Sequence, residues 1–448
     1  MTVLSVALAA QADVSIDSTN FPDKNFRSFL LSLYPEGIMT EGDIYLCTSL
    51  DVSDQAISDM KGIEFFTNIK RLYCSGNLFI TLDLSHNTNL KYLYCYGNPN
   101  LTTITGLSAC TKLSYIDCAD CAITDLSEVS NLTKLRKLNA QNNSFTSLQL
   151  LELSYLSELR LSGNQLLSEV TISGCTTMMT FDISNCTALK KLICYSNYLN
   201  TLNVSGCYEM TYLDCSSDRL DSLDVSDLTA LEYLNCSFNR LTDLNVSRNT
   251  KLVNFYCSGN QLASIDLQDL SELKSLNVGN NQLTALNTNG LSELAYLRCN
   301  NNQLTSIAIQ GCPKLFSIEC HGNQLNLEAM EILVNSLPRR TWMSWGIMRV
   351  LGMSNENNEI SPDIVAAANK KSWALQKEIN DDWVTIDYIL PGDVNRSGVV
   401  DVFDLAALIE YLLNDNTRSF HQENADVDGN GTINIGDVGA LINLLLNN

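Results

Sequence analysis

From Leu189 to Lys314 the chain divides into six consecutive units of 21 residues, and this period constrains the fold more than any other feature. One unit carries Leu231, Leu234, Cys236, Asn239, Leu241, Leu244 and Val246, with mostly polar residues between them. The next repeats the order at Leu252, Phe255, Cys257, Asn260, Leu262, Ile265 and Leu267. Apolar residues at positions 1, 4 and 6 alternate with polar ones, which predicts a short strand with one face buried. A single unit cannot bury its apolar face, whereas stacked units share one continuous core.

The period and pattern define a leucine-rich repeat solenoid, a fold of parallel β-strands with few helices. Position 9 is Asn77, Asn98, Asn143, Asn164, Asn197, Asn239, Asn260, Asn281, Asn302 and Asn323, with Cys121 and Asp218 in the two remaining places. A carboxamide both donates and accepts, so one side chain there satisfies backbone groups trapped between coils. Full repeats start at Ile69, Leu90, Leu113, Leu135, Leu156, Leu189, Met210, Leu231, Leu252, Leu273, Leu294 and Leu315. Residues 178–188 (MMTFDISNCTA) match only the second half of a unit, as a convex bulge or a half coil.

The expected order is a signal remnant at 1–12, an N-terminal cap at 13–68, repeats at 69–335, a C-terminal cap at 336–390 and a separate module at 391–448. Caps are needed because an open end would expose apolar surface. Helices are expected after Phe21, over Glu328 to Pro338 and over Pro362 to Trp373, with a strand-like run from Trp342 to Met353. The apolar run Val3–Ala10, with Ala10-Gln11-Ala12 before Asp13, reads as the end of a secretory signal, so the protein is expected to be secreted or at the cell surface. No apolar run is long enough to span a membrane. Twenty-eight basic against 50 acidic residues give a net charge of −22, which excludes nucleic acid and anionic membranes as partners.

Sixteen cysteines in a secreted chain point first to disulfides. Their positions point elsewhere. Cys74, Cys95, Cys118, Cys194, Cys215, Cys236, Cys257, Cys299 and Cys320 all occupy position 6, and Cys110, Cys175, Cys186, Cys207 and Cys312 fall near position 19. Equivalent side chains on parallel strands lie ~4.8 Å apart, so these form ladders of small, reduced core thiols. Cys47 and Cys121 stand outside the columns.

Positions 3, 5 and 7 alternate with the buried ones and are expected to face outward on a concave sheet. Ten of the 17 tyrosines lie there: Tyr73, Tyr92, Tyr94, Tyr96, Tyr115, Tyr195, Tyr212, Tyr233, Tyr256 and Tyr296. Tyrosine offers a broad, rigid surface with a polar tip, so these are the candidate ligand-binding residues for a protein or a glycan. The alternative is β-propensity and cross-strand packing on an exposed sheet. Catalysis is not expected. His86, His321 and His421 are scattered without a nucleophile, and Asp117, Glu158, Asp214 and Glu319 are separated from one another.

The C-terminal module carries two 12-residue loops. Oxygen-bearing side chains at positions 1, 3, 5, 9 and 12, a carbonyl at 7 and Gly at 6 wrap a hard cation. The first loop offers Asp393, Asn395, Ser397, Val399, Asp401 and Asp404, and the second Asp426, Asp428, Asn430, Thr432, Asn434 and Asp437. Two calcium ions are expected, each loop leading into an apolar helix (405–413 and 438–446).

Position 12 is Asp in both loops, and two such loops with one helix each resemble a type I dockerin. The resemblance implies docking to a cohesin-like partner through loop positions 10 and 11, here Val402 and Phe403, then Ile435 and Gly436, in place of the family's usual hydroxyl pairs. The repeats resemble bacterial internalins with a cysteine ladder in 21-residue units, which implies extracellular recognition or adhesion. Another role implied by the dockerin is that of an architectural subunit in a polysaccharide-degrading assembly.

Overall fold

The computed structural model describes residues 13–341, 343–353, 356–386, 391–395, 400–414 and 420–447. The signal-like residues 1–12 therefore lie outside it. The chain forms two compact units, Met1–Leu252 and Val253–Asn448. Both contain leucine-rich coils, so the solenoid fold read from the period is correct.

In the first unit the cap starts with helix Lys24–Leu33. Asp23 caps it by accepting from the amides of Asn25 at 2.8 Å and Phe26 at 2.9 Å. Phe21, Phe26 and Leu30 are fully buried beneath it. A second short helix, Glu41–Leu46, opened by a Thr40–Asp43 capping box, was not evident from the sequence pattern. Strand Ser49–Asp51 then pairs in parallel with Arg71–Tyr73 and begins the first sheet.

That sheet continues in parallel through Tyr92–Tyr94, Tyr115–Asp117, Lys137–Asn139 and Glu158–Arg160, the front strands of successive coils. A coil passes once through each side of the solenoid, so its second half builds another layer behind. There Ser147–Leu151 pairs with Glu169–Ser173, starting a second sheet.

Residues 178–188 form a half coil. Thr180–Asp182 takes the next place in the first sheet, pairing with Glu158–Arg160. The following front strand, Lys191–Ile193, pairs instead with Glu169–Ser173. Tyr212–Asp214 and Tyr233–Asn235 extend that second sheet, while Thr201–Asn203 extends the first. Eleven extra residues advance the chain by half a coil, so front and back exchange sheets.

The buried columns exchange with them. Asn98 shows the rule: its Nδ2 donates to the carbonyls of Cys74 (3.0 Å) and Cys95 (2.7 Å), while its Oδ1 accepts from Asn77 N (2.8 Å). Asn197 makes the same bonds to Cys194 and, across the exchange, to Ile172. Cys74, Cys95 and Cys118 thus line the first sheet, and Cys194, Cys215 and Cys236 the second. All 16 thiols are free and all but Cys47 are buried. Burial pushes the Cys257 thiol up to about 12, so it is a neutral packing group. Near position 19 the thiols donate to carbonyls, as Cys110 does to Leu84 and Asn87 at 3.4 Å. Denatured protein without reductant should titrate close to 16 thiols; a count near zero would refute the reduced ladder. Cys95→Ser should cost ~1–3 kcal/mol in denaturant melts, because the hydroxyl enters an apolar site.

The main sheet of the second unit is built of parallel strands: Asn254–Tyr256, Ser275–Asn277, Tyr296–Arg298, Ser317–Glu319, Gly346–Leu351 and Trp373–Ile379, while Ala285–Asn287 and Ser306–Ala308 form a separate parallel pair. Asp382–Thr385 closes the main sheet antiparallel. Helices Leu327–Ser336 and Pro362–Asn369 lie between the last strands in sequence. Trp373 starts a strand, where helix was expected to run to it, and its fully buried ring explains why. A Cβ on Gly346 would sit 2.4 Å from that ring, so only glycine lets the strand pass. The cap also carries a carboxamide absent from the repeat pattern. Asn358 donates to Cys320 O and Val350 O, both at 2.9 Å, and so continues the buried asparagine column.

Candidate functional site

The ten tyrosines, expected at outward positions of one concave sheet, do not share a single run of adjacent strands. Tyr73, Tyr92, Tyr94, Tyr96 and Tyr115 belong to the first sheet, but Tyr195, Tyr212 and Tyr233 follow the half coil onto the second. Tyr256 and Tyr296 belong to the sheet of the other unit.

On the first sheet the rings stack along the strand-to-strand direction. Tyr73 and Tyr94 stack 4.7 Å apart with their planes nearly parallel, at 7°, and Tyr94 and Tyr115 follow at 4.9 Å. The Arg71 guanidinium covers Tyr92 at 5.1 Å. Ring faces are therefore largely occupied by one another, and edges and hydroxyls are left for a partner. Burial, then the neighbouring Tyr73 and Tyr92 phenols, raises the Tyr94 hydroxyl above its ordinary value, so Tyr94 offers a neutral donor. Tyr96, 46% exposed, stands at position 7 beside it.

The row leads into a polar pocket of about 240 Å³ lined by Tyr115, Asp117, Lys137, Asn139, Glu158 and Arg160. Glu158 pairs with Lys137 and with Arg160, both at 2.7 Å. The Lys137 hydrogen bond foremost, with Arg160 beside it, holds the Glu158 carboxyl below the usual range. On the second sheet Tyr212 and Tyr233 form a separate stack at 4.1 Å.

The calcium loops match each other in the C-terminal module. Position 12 accepts from the amides of positions 3 and 9 in both: Asn395 N (3.0 Å) and Asp401 N (2.8 Å) to Asp404, then Asp428 N (3.2 Å) and Asn434 N (2.8 Å) to Asp437. Position 9 accepts from position 11 in both, Phe403 N to Asp401 and Gly436 N to Asn434. The second loop brings one carboxylate oxygen each from Asp426, Asp428 and Asp437 within 4.8 Å of one another. Three hard oxygen donors at that separation fit calcium. In the first loop Asp393 and Asp404 are buried, and burial followed by the Asp393 and Asp401 charges raises the Asp404 carboxyl. A divalent cation would relieve that repulsion. Ser397 and Val399 lie outside the described residues.

Helices Val402–Asn414 and Ile435–Asn447 begin three residues earlier than the apolar pattern indicated, so positions 10 to 12 form their first turns. Val402, Phe403 and Ile435 are 65%, 71% and 77% exposed, and Gly436 is exposed beside them. All four positions are therefore open to solvent.

Residues 391–446 match the family described as Dockerin type I domain, and residues 88–131 match Leucine Rich repeats (2 copies). Internalin J of Listeria monocytogenes serotype 4b (strain F2365) is 39% identical over 70 residues, covering 15% of this chain and 8% of that protein. The chain carries leucine-rich repeats with a ladder of buried free cysteines and a C-terminal type I dockerin-like module, and is similar to internalin J over those 70 residues. Among solved structures, the functional domain of InlJ from Listeria monocytogenes, which includes a cysteine ladder, aligns at 28% identity with a TM-score of 0.34, covering 80% of this chain and 87% of that one. The internalin InlF from the same species aligns at 20% identity with a TM-score of 0.33, over 84% and 100%. The internalin-like chain matches only a small fraction of internalin J's length. Both of its modules are of binding types, and among the described residues no helix is long and apolar enough to cross a membrane.

Proposed function

We propose that this internalin-like chain is a secreted or surface-attached binding protein whose ligand is a protein, held on the first sheet by Tyr73, Tyr92, Tyr94, Tyr96 and Tyr115. The carrying observation is the Tyr73–Tyr94–Tyr115 stack running into the Lys137–Glu158–Arg160 cluster. Sugar rings stack on free aromatic faces, and here those faces are turned to one another. A row of hydroxyls beside paired charges suits the mixed polar and aromatic surface of a protein. The C-terminal module binds two calcium ions, one through Asp393, Asn395, Asp401 and Asp404 with Ser397 and Val399, the other through Asp426, Asp428, Asn430, Thr432, Asn434 and Asp437. It docks to a cohesin-like partner through Val402, Phe403, Ile435 and Gly436. The dockerin match also favours a second reading, an architectural subunit of a polysaccharide-degrading assembly.

Tyr73→Ser together with Tyr94→Ser should leave the fold intact, since each ring is partly exposed, with at most ~1–2 kcal/mol lost from the stack. Retention of a surface-extract partner by the immobilised chain should fall at least about tenfold, the equivalent of ~1.4 kcal/mol. Undiminished retention would refute the tyrosine site. Deleting 391–448 should spare that binding; loss of partner capture through this deletion alone would favour the architectural reading.

A further inference from the structure

The second unit has a groove of about 490 Å³ along the turns of its coils, within the range of small-ligand sites. It lies where three successive units read Asn280-Asn281-Gln282-Leu283, Asn301-Asn302-Gln303-Leu304 and Gly322-Asn323-Gln324-Leu325. The walls are carboxamides and one glycine: Asn280, Asn301, Asn302, Gly322, Asn323, Gln324, with Asn357 from the cap opposite. None is charged, although the chain carries a net −22.

These carboxamides do two different jobs. Asn302 and Asn323 are saturated by the buried column: Asn323 Nδ2 reaches Cys299 O and Cys320 O, and its Oδ1 takes Leu304 N. Asn280 and Asn301 sit one residue earlier in left-handed turns, both at φ 54, which point them outward. Asn301 Nδ2 donates to Asn280 Oδ1 at 3.0 Å and holds the pair at coil spacing. Asn280 Nδ2 and the carboxamides of Gln324 and Asn357 have no hydrogen-bond partner among the described residues, and all three residues are exposed. Glu356 is spent on the wall itself, accepting from Gly322 N at 2.8 Å and Gly352 N at 2.7 Å.

The ligand class follows from this lining. A charged ligand would find no counter-charge in the groove. An apolar one would find no aliphatic or aromatic wall, which such pockets ordinarily provide. Groups that each donate and accept complement a neutral molecule whose groups do the same, and vicinal hydroxyls do so. Because Asn280 and Asn301 are held by their turns and by each other, that part of the lining loses little side-chain freedom on binding. We propose that this groove binds a neutral oligosaccharide. The groove shares no residue with the tyrosine surface and does not rest on the protein-partner reading.

The test uses the full chain in affinity electrophoresis through gels containing a soluble neutral glucan, xylan or mannan, with polygalacturonate as the acidic control. Retardation by at least one neutral polysaccharide is expected, and none by polygalacturonate. Asn280→Asp with Gln324→Glu keeps shape while bringing charge and removing donors. It should weaken retardation at least tenfold, with the melting curve unchanged. No retardation in any neutral gel would overturn the proposal, as would equal retardation of the double variant or preference for polygalacturonate.

Discussion

In excess chelator, the C-terminal module is expected to lose its cooperative melting transition while the leucine-rich coils keep theirs. Its core is small: Val394, Leu408, Phe420, Ala425, Val438 and Leu441 are the buried apolar residues that hold the two helices together. Modules of this size seldom reach stability on apolar burial alone. Against that core stand buried carboxylates, with Asp404 and Asp437 fully covered and Asp393 nearly so. In the second loop three carboxylates converge within 4.8 Å. Two like charges ~4 Å apart repel by ~1 kcal/mol in water and by ~4 kcal/mol at an effective dielectric of ~20. Calcium converts this repulsion into ligation and, at a thousand times its dissociation constant, stabilises the folded form by about 4 kcal/mol. Calorimetry should therefore show more than one transition, only one of them moving with calcium. Asp393→Ala together with Asp426→Ala removes position 1 from each loop and should abolish that movement. A module transition indifferent to both chelator and substitutions would refute the calcium assignment, and with it the two-ion reading of the loops.

The coil was legible because its constraint is periodic. One strand, one buried thiol or aliphatic, one carboxamide and a turn recur every 21 residues, so each column predicts its own burial. The half coil was visible as a length but not as a consequence. Residues 178–188 carry the same apolar spacing as any second half, and nothing in their composition says on which side the next front strand falls. Arithmetic could have said it: 11 residues are about half of 21, so the faces must exchange unless the excess bulges out. The tyrosines were correctly placed at outward positions but assigned to one face, because position within the repeat was taken as position on the molecule. Asn358 escaped notice for the opposite reason. It continues the buried column from a segment whose spacing is not that of a repeat, and only its bonds to Cys320 and Val350 reveal it. The two loops of the C-terminal module were located by their spacing, because the loop's own backbone sets where its oxygens fall; in the second loop Asp426, Asp428 and Asp437 converge. The carboxamide groove was not, because its far wall comes from Asn357 in the cap.

Asp218→Asn is expected to stabilise the first unit strongly at pH 8 and little near pH 4. Asp218 occupies the asparagine column, where its Oδ1 accepts from Asn197 N at 2.8 Å and Leu199 N at 3.0 Å. At the equivalent place Asn239 sends Nδ2 to the carbonyls of Cys215 and Cys236, at 2.9 and 3.0 Å. Asp218 has there an acceptor, Oδ2, buried without a partner. Burial pushes its carboxyl up to about 7 from 3.8; the amides of Leu199, Asn197 and Tyr198 oppose this and the Asp214 carboxylate adds to it. The thiols of Cys194 and Cys215 face the same site and are neutral. The folded state therefore holds a proton that the unfolded chain releases above about 3.8. Both states are protonated below that value, so the group costs nothing there; stability falls as pH rises from about 4 and levels off above about 7. The full difference is on the order of 2–4 kcal/mol. Asparagine does not titrate and restores the missing donor, so the gain should appear progressively across that window. Melting temperatures of parent and variant at pH 4, 6 and 8 measure it directly. An equal difference at all three, or a variant less stable at pH 8, would show that Asp218 is ionised and satisfied in the folded coil.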